Sequence, residues 1–130
     1  MDGSRNRWIA AGAANGLVAV AMGAFAAHGL KNVISDEALG WVHTGAEYEM
    51  YHALALLGLA ALGRHAAGRA GTVAGVAFLA GVILFSGSLY LLAFTGWRGF
   101  AFVTPVGGTA LLLGWAALAW HGLAGRRGGG

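Results

Sequence analysis

Side chains capable of acid–base or ligand chemistry crowd into one short stretch, "TGAEYEMYHALALL" at residues 44–57. Glu47, Tyr48, Glu49, Tyr51 and His52 fall within six positions, directly ahead of an apolar run. Two carboxylates, an imidazole and two phenols could relay protons. "EMYH" also has the Glu-x-x-His spacing that metal-binding helical bundles use. Such bundles need two of these pairs and further glutamates, and the chain supplies one. Two copies in a dimer would supply the second. His43 with Glu47, one turn apart, is another incomplete ligand pair. No Ser–His–Asp set, nucleophile elbow or paired metal-binding His motif accompanies them. The residues therefore point to no catalytic group, no metal and no cofactor, with Ser86 and Ser88 read as packing hydroxyls.

The setting of the cluster decides what it can do. The chain has 130 residues, 58% hydrophobic and 10% charged, with 24 Gly, one Pro and no Cys. Soluble domains run near 25% charged. Mean hydropathy is +0.67. A chain this short cannot hide so much apolar surface in one aqueous core, so its solvent is lipid. The absence of cysteine removes disulfides, thiol catalysis and thiolate metal sites. The net charge of +3 comes from arginines at the ends of apolar runs. It forms no basic patch of the kind nucleic-acid binding needs.

Four spans are predicted, at about 8–27, 41–63, 71–94 and 104–123, in an all-α membrane bundle forming one domain. About 20 residues at 1.5 Å each cross the hydrocarbon. The first span follows "RNR" and ends in "AFAA", which imitates a signal peptide; it is read as a retained span. The second belongs to a helix beginning near Asp36 with Ser35 as N-cap. The fourth opens at "VTPVGG", with Thr104 as N-cap and Pro105 at the first helical position. Residues 124–130 read as a flexible Gly-rich tail. Arg5, Arg7, Arg64, Arg69, Arg126 and Arg127 fall on one side, against Lys31 and Arg98 on the other. The positive-inside rule puts both termini in the cytoplasm.

Helices in lipid associate by close contact, for which small residues are suited. Gly12, Gly16 and Gly23 mark such a ridge on span one, Gly75, Gly81, Ser86 and Ser88 on span three, and Gly107 and Gly114 on span four. Asn15 and Tyr90 join the serines as polar residues at depth. Counting back from Gly63 places the outer boundary near Thr44, so Glu47 lies about 4–5 Å, Glu49 about 7 Å and His52 about 12 Å below it. At ~100° per residue, His43, Glu47 and Tyr51 share one side of the helix, and Trp41, Tyr48 and His52 another. Charges at such depths face the bundle or a wet cavity. A glutamate is expected to meet His28, Lys31 or Arg98, or to be held neutral by desolvation.

Four stretches carry a resemblance: "GAFAAHGL" at 23–30, "YEMYHALALL" at 48–57, "FSGSLYLL" at 85–92 and "TPVGG" at 104–108. In this order they resemble the signatures of domain-of-unknown-function family 423, which includes eukaryotic transmembrane protein 256. The resemblance covers roughly residues 8–123. It implies a small, four-span bacterial inner-membrane protein, and it brings no activity with it. The family commonly has Gly where this chain has Ala26 and Gln where it has Glu49. If Gln serves at 49, charge there is dispensable, and His28, Tyr48, Tyr51 and His52 become the stronger candidates.

These readings together lead us to expect a non-enzymatic membrane protein. It would be a structural or accessory subunit of a membrane complex, or a homo-oligomer, with lipid and other membrane subunits or itself as partners. A proton or small-solute conduit through the Glu/Tyr/His cluster is the alternative, and a metal or haem site the second alternative.

Overall fold

The structure, a computed structural model, describes residues 3–126 of the chain. Among the described residues four α-helices follow one another: α1 (Gly3–Ala27), α2 (Asp36–Leu62), α3 (Arg69–Thr95) and α4 (Val103–Gly125). Three helices, α1, α3 and the segment containing α4, are long and apolar enough to cross a membrane. The α2 helix is as long, at 27 residues. The carboxylates, His43 and His52 lower its hydropathy, so it reads as a span less cleanly than its neighbours.

The helix ends follow local chemistry. Ser35 caps α2: its backbone is extended and its side chain accepts from the Ala38 N–H, which satisfies one of the unpaired donors of the first turn. Gly96 ends α3 in the left-handed region, φ 70°, with its N–H donating to the Leu92 carbonyl. Such a C-terminal turn favours glycine.

Two boundaries differ from expectation. Thr104 is not an N-cap, because a 3-10 turn at Arg98–Phe102 runs straight into α4 and the residue before the helix is already helical. Pro105 still sits in the first turn, where a missing N–H costs nothing. The last helix runs past residue 124, where the tail was expected to begin, because nothing breaks it before Gly125. Arg127 and the last glycines lie outside the described residues.

Successive helices pack as antiparallel neighbours, α1 on α2, α2 on α3 and α3 on α4. The first seam follows Gly12, Ala19 and Ala26, the buried residues of α1. A Cβ on Gly12 would lie 2.9 Å from the Ala53 carbonyl oxygen. Gly16 has only ordinary contact space, and Gly23 has open space beside the seam rather than a neighbour. The seven-residue row wins over the shorter Gly12–Gly16–Gly23 ridge because it keeps facing α2 along the whole helix. Between α3 and α4 the approach is closest. A Cβ on Gly107 would strike the Phe85 backbone, with Phe85 Cα at 2.8 Å; one on Gly81 would lie 2.7 Å from Leu111 Cδ2; one on Gly114 would lie 2.7 Å from the Phe78 ring. Gly75 makes room for the Trp8 ring.

Two apolar clusters form the core. One joins Ala26, Leu30, Ala38, Val42 and Ala93, near the α1–α2 loop. The other joins Leu56, Leu59, Ala66, Ala74 and Phe78, toward the chain termini. A layer of polar side chains lies between them.

Gly107→Leu should weaken the fold by about 1–3 kcal/mol, the usual range for overpacking. Gly58→Ala, where a Cβ meets nothing within 4 Å, should be neutral or stabilising by up to about 1 kcal/mol. Reversible unfolding in mixed micelles measures both. Equal effects at the two positions would contradict the packing.

Candidate functional site

The buried row of α2 (Val42, Gly45, Glu49, His52, Leu56 and Leu59) advances by threes and fours, which keeps it on one face. Its polar members bond across to other helices. Ser86 Oγ donates to the Gly45 carbonyl at 2.7 Å, and Tyr90 Oη donates to Glu49 Oε1 at 2.8 Å. The acceptors stand one turn apart on α2 and the donors one turn apart on α3. Side chains lean toward the N-terminus of their own helix. In antiparallel neighbours Tyr90 and Glu49 therefore lean toward each other. The phenol passes over Gly45, where a Cβ would sit 2.7 Å from Tyr90 Cε1. Gly45 is bare so that the ring can cross.

One turn further along α2, His52 is 4% exposed and has both ring nitrogens engaged. Trp115 Nε1 donates to His52 Nε2 at 3.0 Å. An indole nitrogen only donates, so Nε2 is the acceptor and the proton resides on Nδ1. Nδ1 then donates to the Tyr48 carbonyl, 2.7 Å away. The ring also lies within an aromatic group, 5.5 Å from Phe78 and 5.9 Å from Trp115 between centroids. Toward the opposite end of α4, Ser88 Oγ and Thr104 Oγ1 share a 2.6 Å hydrogen bond, and Ser88 also donates to the Phe85 carbonyl. Among the described residues no buried side-chain nitrogen or oxygen is left without a partner.

The sequence cluster is thus split between two faces. Glu49 and His52 turn inward. Glu47, Tyr48 and Tyr51 turn outward, Tyr48 packing its ring against Phe85 at 4.8 Å and Tyr51 at 5.7 Å. His28 is exposed in the α1–α2 loop, where its backbone N–H bonds the Ala24 carbonyl. The expected cation does not meet Glu49, whose partner is the Tyr90 phenol; Lys31 and Arg98 are exposed in the α1–α2 and α3–α4 connections. The Glu-x-x-His pair is divided, the carboxylate going to α3 and the imidazole to α4. No group of three or more His, Asp or Glu side chains converges among the described residues. Sequence reasoning missed Gly45 and Trp115. Trp115 had a signal, since an indole far from the interfacial belt needs an acceptor.

A groove of about 430 Å³ opens beside this layer, lined by Tyr48, His52, Phe85, Leu112 and Trp115 among others. Tyr48, His52 and Thr109 are the polar residues of its lining. With both nitrogens bonded, the ring offers the groove no free lone pair. The hydrogen bonds of Glu49, His52, Ser86 and Tyr90 tie neighbouring helices together.

Tyr90→Phe should cost about 1–3 kcal/mol, because it strands a buried acceptor. Glu49→Gln should cost under about 1 kcal/mol, since an amide oxygen accepts the same bond. Adding Glu49→Leu to Tyr90→Phe should recover part of the loss. Unfolding in mixed micelles reads all three, and a neutral Tyr90→Phe would contradict the Tyr90–Glu49 bond.

The family model described as "Protein of unknown function (DUF423)" matches residues 22–108. The chain is 41% identical to a UPF0382 membrane protein of Haemophilus influenzae over 89% of this chain and 93% of that protein. It is 46% identical to UPF0382 membrane protein YwdK of Bacillus subtilis, over 83% and 89% respectively. It is 44% identical to UPF0382 inner membrane protein YgdD of Escherichia coli strain K12, over 82% and 81%. No solved structure matches. A helical bundle with membrane-spanning helices, and relatives that carry membrane and inner-membrane names across most of their length, lead to one conclusion: the chain is an inner-membrane protein and belongs to the DUF423 family.

Proposed function

We propose that the protein is a non-enzymatic structural or accessory module that works by lateral association, with copies of itself or with a larger membrane complex. The observation that carries this reading is a polar row on the outside of α2. His43, Glu47 and Tyr51 are all exposed and stand one turn apart. Near the membrane boundary a carboxylate costs a few kcal/mol unless it is paired or hydrated. Glu47 has no cation beside it in its own chain among the described residues, so a neighbouring chain is the natural source of its partner. The inward polar groups support the same reading from the other side, because all of them are committed to holding the bundle together.

A conduit is the rival reading. It fares worse because a proton path needs groups that can exchange partners, and His52 is fixed by donors and acceptors on both nitrogens. On the same reading the termini lie in the cytoplasm. Arg5, Arg7, Arg64, Arg69 and Arg126 stand at the terminal end, and Lys31 and Arg98 at the other, as the positive-inside rule requires.

The chain has no cysteine, so single cysteines can be placed cleanly. In native membranes Tyr51→Cys should cross-link to a second chain, either an identical one or a partner of different mass. Leu17→Cys, on an exposed apolar stretch of α1, should not. If neither cross-links and the purified chain carries protons into liposomes above background, the proposal is abandoned. A fluorescent protein fused after the C-terminus should be bright in intact cells, as expected for a cytoplasmic terminus; a dark fusion would reverse the orientation.

A further inference from the structure

A second groove, of about 440 Å³, lies between α1 and α3 at the terminal end, on a face separate from the α2 row. Its mouth is polar, with Arg7 and Thr72, and its trough is apolar, with Ala11, Val76 and Ile83 among its walls. The Trp8 ring, seated over Gly75, also lines it. A smaller hollow lined by Arg5 adjoins it and shares Trp8 and Thr72. Val76 and Ile83 are more than half exposed, so the trough opens sideways to the acyl chains. From Thr72 to Ile83 the wall is about 16 Å long at 1.5 Å per residue, about the depth of one leaflet of a ~30 Å core.

Among the described residues the charges around the mouth are one-sided. Arg5, Arg7, Arg64, Arg69 and Arg126 occupy this end of the bundle, whereas the described carboxylates (Asp36, Glu37, Glu47 and Glu49) belong to α2 from its far end inward. Arg7 has no acidic partner among the described residues. A guanidinium above an apolar trough matches a phosphate above an acyl chain, since Arg binds phosphate through paired N–H donors. Basic pockets between membrane helices bind anionic headgroups for this reason. We infer that this groove is a binding site for an anionic phospholipid of the surrounding bilayer. The phosphate lies on Arg7, with Arg5 beside it, and one acyl chain runs along Val76 toward Ile83.

The test uses delipidated full-length protein in detergent, titrated with phosphatidylglycerol or with phosphatidylcholine of identical chains, and read by native mass spectrometry. Wild type should hold phosphatidylglycerol at least about fivefold more tightly, the discrimination expected from about one favourable charge contact. Arg7→Gln should bring phosphatidylglycerol to the phosphatidylcholine level. Arg126→Gln, at the same end but outside the groove, should leave the preference intact. Val76→Trp, which fills the trough, should weaken both lipids. Equal retention of the two lipids by wild type would overturn the inference. So would equal losses in Arg7→Gln and Arg126→Gln, which would mean diffuse charge, or unchanged binding in Val76→Trp.

Discussion

The hydrogen bond from the Tyr90 phenol to the Glu49 carboxylate, made across the bare surface of Gly45, fixes how α2 is turned about its own axis. The rest of the molecule depends on that rotation. With Glu49 inward, the 3.6-residue period brings Gly45 under Ser86 and His52 under Trp115. The same period turns Glu47 and Tyr51 outward. A rotation of α2 by one residue, about 100°, would strand the buried acceptors and bring Glu47 against apolar side chains. Lipid makes that error expensive, because no water is present to accept or donate instead.

The polar layer is modest in net energy and strong in specification. Interhelical hydrogen bonds in membranes average about 0.6 kcal/mol each, so these few bonds do not hold the bundle alone. The glycine contacts at Gly12, Gly81, Gly107 and Gly114 supply close approach along the seams. Dispersion gained there is non-directional, whereas the polar bonds are directional, and removing one partner costs more than the bond contributes. Small residues set the distance between helices, and the Glu49–Tyr90, Gly45–Ser86 and His52–Trp115 bonds set their register.

Much of this was legible in the sequence. Helix extents followed from apolar runs, the start of α2 from Ser35 before Asp36 and Glu37, and the small-residue ridges from spacing, which did not say which helix each ridge meets. Other features were not legible, for identifiable reasons. The partners of the polar layer are 41 and 63 residues apart in the chain, and helix periodicity assigns a side chain to a face without naming what it meets. Angular position placed His52 with Tyr48, yet Tyr48 proved outward and His52 inward, because two residues one turn apart straddle the edge of the buried stripe. Gly23 resembled a packing residue by spacing alone and has open space around it. At position 49 Tyr90 needs an acceptor, and an amide oxygen would serve as well as a carboxylate.

The central claim is that α2's inward polar groups are spent on neighbouring helices, and His52 reports it most directly. Solid-state nitrogen NMR of ring-labelled histidine in bilayers, assigned with His52→Gln, resolves the protonation of each ring nitrogen and its proximity to indole. The account predicts a protonated Nδ1 and an unprotonated Nε2 that shows through-space transfer to Trp115 Nε1–H. An Nε2 carrying its own proton, or one with no transfer to Trp115, would contradict it.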